Sequence, residues 1–121
     1  MTIAQAIETV DQLKPNQYSE EQKLQWLSQL DGKIFVELIS THEGGKESFE
    51  PYTEMEQELL VPFPYDQDIY NYYLQSMIDR ENGEVAKFNQ SGALFNNAYA
   101  EFSAIYNRTH VPLPQRSAFR F

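Results

Sequence analysis

The chain contains no cysteine. That absence excludes a disulfide framework, a thiol nucleophile and every cysteine-ligated zinc or iron–sulfur centre. Long apolar runs are also missing. None exceeds three residues, as in Ile34-Phe35-Val36 and Leu59-Leu60-Val61, whereas a bilayer-spanning helix needs about 20. The first residues, Met1-Thr2-Ile3-Ala4-Gln5, carry neither a basic nor an apolar leader region, so no secretory signal is expected. Basic residues are scarce, 9 against 18 acidic ones, for a net charge of −9. A surface of that sign repels phosphate backbones at long range and argues against a nucleic-acid coat. Histidine is limited to His42 and His110. No H-E-x-x-H, P-loop or dinucleotide fingerprint occurs, and Gly44-Gly45-Lys46 lacks the leading glycine of a phosphate loop and reads as a turn. The carboxylate pairs Asp66/Asp68 and Asp79/Glu81 stand two apart on helical stretches, where side chains diverge. They suit capping rather than acid–base chemistry. The expectation is a protein that is not an enzyme and holds neither cofactor nor metal.

What is present is enough for one folded domain. The 121 residues are 41% hydrophobic and 14% aromatic, which suffices to bury a core. Ile3, Ile7, Val10 and Leu13 predict a helix over about 3–13, with Thr2 as N-cap and Pro15 preventing continuation. Ser19 and Gln22 fit a capping box, and Leu24, Leu27, Leu30, Ile34 and Leu38 carry a helix from about 20 to 40. Asp31-Gly32 is a possible interruption. A third helix starts near Asp66, read as its N-cap, and keeps an apolar face through Tyr70, Tyr73, Leu74, Met77, Ile78, Val85 and Phe88. Asn82-Gly83 offers one end for it. Ser91-Gly92 is the preferred boundary, because the register continues to residue 88. A last helix follows through Leu94, Phe95, Ala98, Tyr99, Phe102, Ile105 and Tyr106. The predicted fold is all-α: three to four helices in a small bundle, a helical domain over 1–108, one long acidic loop over about 41–64 and an extended arm over 109–121.

Two stretches stand out. Between Glu43 and Asp68 there are eight acids and one base, so these 26 residues carry −7 of the chain's charge. The candidate site here is Glu43, Glu47, Glu50, Glu54, Glu56 and Glu58. One reading is a solvated loop, another a surface that must face a polyanion without holding it, and a third a mimic of DNA directed at a basic protein. Pro51 and Gly44-Gly45 predict that the carboxylates are loosely held, which disfavours mimicry. The second stretch is the arm. Arg116, Phe119, Arg120 and Phe121 lie beyond two prolines, with no acid among them, and predict aromatic anchors for a neighbour's pocket.

Leu60-Val61-Pro62-Phe63-Pro64-Tyr65-Asp66, then Tyr70-x-x-Tyr73-Leu74 and Ile78-Asp79, resembles small helical proteins from tailed-bacteriophage structural gene clusters. So do Asn82-Gly83-Glu84, Phe95-Asn96-x-Ala98-Tyr99-x-Glu101-Phe102 and Tyr106-Asn107-Arg108-Thr109-His110. Those proteins are regarded as head–tail connectors, or adaptors, and the likeness covers about residues 59–110. The resemblance implies an all-α fold, a homo-oligomeric ring docked under the portal protein, contact with a neck or tail protein, and no catalysis. It also implies residence at the head–tail junction of the virion after synthesis in the host bacterial cytoplasm. Double-stranded DNA would pass through such a ring without specific binding, and no membrane would be involved. The alternative, from a different class, is an acidic DNA-mimic inhibitor of a host restriction or CRISPR nuclease.

Overall fold

The computed structural model describes residues 1–114. Four helices make up the bundle: α1 (Ile3–Leu13), α2 (Glu20–Glu37), α3 (Asp66–Glu81) and α4 (Val85–Thr109), with a single 3-10 turn at Ile39–Thr41. The fold is all-α, as the periodicity predicts. Among the described residues the only β-type pairings are two isolated bridges, Thr2 with Glu58 and His42 with Pro112. No described helix is long and apolar enough to cross a membrane.

Local chemistry accounts for the first two helices. Thr2 Oγ1 accepts from the Gln5 amide while Gln5 Oε1 accepts from the Thr2 amide, a reciprocal cap on α1. Ser19 Oγ accepts from the Gln22 amide, and Glu20 and Glu21 occupy the first turn of α2, where the helix dipole favours negative charge. Asp31 and Gly32 lie inside α2 rather than in a turn.

Three boundaries differ from the sequence expectation. The first lies between α3 and α4: the chain breaks at Asn82–Glu84, and α4 runs without interruption through Ser91 and Gly92. Gly83 has a φ of 73°, a left-handed conformation that closes α3, with its amide bonded to the Arg80 carbonyl. Ser91 lies inside α4, with its hydroxyl 2.9 Å from both Asp79 Oδ2 on α3 and the Lys87 carbonyl one turn back. Continuous apolar register across a turn is therefore not continuous helix; Val85, placed on the buried face by that register, is exposed. The second concerns Asp66, which is the first residue of α3 and not its cap. Tyr65 holds the cap position, without a side-chain cap bond. The third is the start of the arm: Thr109 still belongs to α4, and the backbone becomes extended at His110.

α3 and α4 pack along one another as a hairpin, and α1 and α2 close over α3. Ile3, Ile7, Val10, Leu27, Ile34, Ile69, Leu74 and Ile78 are almost wholly removed from water. Each such aliphatic side chain contributes about 1.5–3 kcal/mol on burial. Around them Tyr73, Phe95 and Tyr99 form a half-buried row along the hairpin, with ring centroids 5.3 and 6.1 Å apart.

Candidate functional site

The acidic segment between the 3-10 turn and α3 has no regular secondary structure, yet its second half, residues 52–61, is tied down. Ala4 and Ile3 donate their amides to the Met55 and Gln57 carbonyls, and the Leu59 amide donates to the Met1 carbonyl. Gln57 Oε1 accepts from the amides of Thr53 and Glu54. The Tyr52 amide donates to Ser28 Oγ of α2. The expectation of a loosely held run is thus corrected for residues 52–61. Pro51 and the glycine pair interrupt regular structure, while backbone groups of α1 and side chains of α2 supply the hydrogen bonds that the segment cannot make to itself.

Asp31 is the centre of this attachment. Its carboxylate, on the buried face of α2, accepts from the hydroxyls of Tyr52 and Tyr70, the latter at 2.7 Å, and from the Leu60 amide at 2.9 Å. Tyr70 Oη in turn accepts from the Val61 amide at 2.8 Å. Burial pushes the Asp31 carboxyl above its usual range, opposed in part by the three donors. The same enclosure, together with the Asp31 charge, raises the phenols of Tyr52 and Tyr70. These groups pin residues 52–61, and Tyr52 also borders a surface cavity with Phe35, Phe49 and Pro51.

All six candidate residues, Glu43, Glu47, Glu50, Glu54, Glu56 and Glu58, are exposed, the last three of them on the tied-down stretch. Glu58 receives the Met1 amine at 3.0 Å, and Asp66, buried, lies 3.5 Å from the same nitrogen. The result is an acidic surface whose side chains point outward, from an anchored main chain at Glu54, Glu56 and Glu58. Among the described residues no three His, Asp or Glu side chains converge as a metal site.

Beside this surface lies a mostly apolar groove of about 480 Å³ between the C-terminal half of α4 and residues 58–65. Ile39, Leu59, Pro62, Phe102, Ile105 and Tyr106 line it, with Lys46 and Glu58 as charged members. Tyr106 is clasped by the two histidines: the His110 ring stacks on it at 3.7 Å and His42 meets it edge-on at 5.2 Å. Each histidine points Nδ1 at the carbonyl four residues before it, Leu38 for His42 and Tyr106 for His110. Thr41 Oγ1 and Thr109 Oγ1 lie 2.9 and 3.0 Å from the same two nitrogens. The hydroxyl of Tyr106 is buried with no partner among the described residues, tucked beneath Gly45. A Cβ at position 45 would stand 2.5 Å from that oxygen and 2.8 Å from Ile39 Cγ2, and Gly44 has a φ of 83°. Both glycines of the turn are therefore required, one by space and one by conformation.

Beyond α4, the Glu43 amide donates to the Val111 carbonyl and the Leu113 amide to the Thr41 carbonyl, each at 2.8 Å. Residues 111–113 thus lie along this chain's own residues 41–43. Arg116, Phe119, Arg120 and Phe121 fall outside the described residues.

The sequence reading did not foresee that Lys23, Asp31, Asp66 and Asp79 are buried. Lys23 pairs with Asp11 at 2.7 Å, and Asp79 with Lys14 at 2.6 Å, while Asp31 is served by neutral donors. The legible signal was position. Lys23 and Asp31 share the stripe of Leu27, Leu30 and Ile34 on α2, where a charge needs a partner.

Comparison with protein-family models, with curated proteins and with solved structures finds no match to this chain.

Proposed function

We propose that the chain is a structural subunit of a tailed-phage virion: a head–tail connector that forms a ring beneath the portal, continues the DNA channel and offers a docking face to the neck or tail. The observation that carries this reading is the anchored acidic surface. Six exposed glutamates, three of them on the pinned backbone of residues 52–61, form a surface that repels a passing duplex, because removing phosphate contacts removes the main term in non-specific affinity. The motif resemblance over about residues 59–110 and the all-α fold support it further. The helices form the ring wall, the Glu43–Glu58 segment faces the lumen or the tailward side, and Arg116–Phe121 clamps a neighbour or the portal. Small domains in a cyclic ring meet through heterologous, head-to-tail surfaces. The test is to mix purified chain with portal rings and image the product. Annular density added to one face of the portal is the expected result; failure to bind any portal ring of the same phage overturns the assignment.

One observation favours a second reading. Mimicry of DNA requires carboxylates held in place, and the hydrogen bonds to Asp31, α1 and Ser28 hold this backbone. On that reading the chain inhibits a host restriction or CRISPR nuclease at low salt. Glu→Gln changes across the six positions then abolish inhibition, whereas a connector subunit leaves nuclease activity untouched throughout.

A further inference from the structure

We infer that the C-terminal half of α4 and the groove beside it form a two-fold interface. A second copy of this chain docks there antiparallel, with the Phe63 side chain of each copy in the groove of the other. The inference does not rest on the connector reading: a two-fold contact closes on a pair, whereas a ring needs head-to-tail surfaces.

Three observations select a second copy as the occupant. The first is a knob beside a hole. Phe63 is 87% exposed, more than any other large apolar side chain among the described residues. Pro62 and Pro64 restrict the backbone on either side of it, and the Tyr65 amide donates to the Pro62 carbonyl at 3.0 Å, so the ring stands at the tip of a closed turn. Pro62 and Tyr65 themselves line the groove, which puts Phe63 at its lip. A surface with a knob next to a hole is complementary to itself under a two-fold rotation, since each copy fills what the other leaves open. Rigidly presented aromatics in apolar pockets are also the side chains that dominate the energetics of interfaces.

The second is charge. Ile105 of α4 edges the groove, with Glu101 one turn before it and Arg108 nearly one turn after, both exposed. Neither has an ion-pair partner among the described residues. When two such helices lie antiparallel about Ile105, Glu101 of each faces Arg108 of the other and two identical ion pairs form. Glu58, the acid in the groove, is already answered by the Met1 amine of its own chain at 3.0 Å.

The third is register. Setting Glu101 against Arg108 fixes the alignment, so that residue 102 of one helix stands opposite residue 107 of the other. Phe63 lies near the level of Phe102, because its neighbour Tyr65 packs on that ring at 5.6 Å. It therefore meets the groove of the other copy between Ile105 and Thr109. One alignment thus satisfies the charges and the knob together, whereas any other partner has to supply an acid, a base and an aromatic ring separately.

The absence of native cysteine makes that alignment directly testable in the full chain. Residue 105 falls next to the two-fold axis, so Ile105→Cys should give a disulfide-linked dimer under mild oxidation. Leu94→Cys, on the same face of α4 three turns earlier, is the control. A rise of about 1.5 Å per residue puts its two copies about 32 Å apart, well beyond the ~7 Å that a disulfide spans between Cα atoms. In sedimentation, the unaltered chain should pass from monomer to dimer as its concentration rises. Phe63→Ala, at a side chain that contributes little to the fold, should weaken this association about tenfold. Glu101→Arg or Arg108→Glu alone should weaken it about fivefold. Both changes in one chain should restore it, because opposite charges face each other again. A chain that stays monomeric at every concentration, or Leu94→Cys linking as readily as Ile105→Cys, overturns the inference. Association indifferent to Phe63→Ala, or a double charge exchange no better than the single ones, overturns it as well by assigning the pairing to another surface.

Discussion

Two parts of this molecule are fixed by different means. The α3–α4 hairpin is regular, and apolar burial holds it: Leu74, Ile78 and Phe102 fill its seam. Residues 42–65 are irregular and acidic; they send Tyr52, Leu59 and Val61 into the core, and beside that packing individual hydrogen bonds hold them, most of all those on Asp31. Packing tolerates loss of a contact by partial collapse, whereas a polar node fails as a unit because every donor it served becomes unpaired. Order in the acidic surface therefore depends on very few side chains.

The strongest way to break that contrast is Asp31→Ala. Three donors lose their acceptor, at about 1–3 kcal/mol each before water re-enters, so a loss on the order of 4 kcal/mol is expected in chemical denaturation. Amide exchange of Leu60 and Val61 should quicken well before that of α3 or α4. Leu74→Ala strikes the other region. A loss of about 3 kcal/mol is expected from lost transfer and cavity terms, with exchange quickening together across the hairpin. Acidity sharpens the comparison next. Folded Asp31 holds its proton more tightly than the unfolded chain does, so its contribution to stability falls as pH rises from the ordinary carboxylate range through its raised pKa. Asp31→Asn should flatten that slope. The raised phenols of Tyr52 and Tyr70 add a second fall in stability above the ordinary tyrosine range, near pH 10. The smallest effect is a gain. Gly92 lies within α4 with open space where a Cβ would stand, so Gly92→Ala should stabilise by about 1 kcal/mol in thermal unfolding.

Period and caps made the helices legible. α1 is readable from Ile3, Ile7 and Val10 with Thr2 before them, and α2 from Ser19 onward. The α3–α4 turn was misread because Val85 and Phe88 happen to continue the apolar register of α3, while the decisive fact, a left-handed Gly83, is a backbone property that periodicity does not carry. The candidate site was half legible. Which residues make the surface acidic is plain from composition, and so is the turn at Gly44-Gly45. What holds that surface is not, since Asp31 meets Tyr52, Leu60 and Tyr70 from 21 to 39 positions away. Contacts of that range belong to the tertiary fold. The groove was invisible for the same reason: its walls come from the 3-10 turn, residues 58–65 and α4.

Asp79 receives Lys14 at the end of α1 and Ser91 from the second turn of α4, while its own carbonyl accepts from the Glu84 amide. One carboxylate on α3 thus cross-braces elements from three stretches of chain at the end of the bundle away from the groove. A pull on α1 reaches α4 through this brace directly, without first travelling along the backbone. The brace makes that end of the bundle stiff under mechanical load.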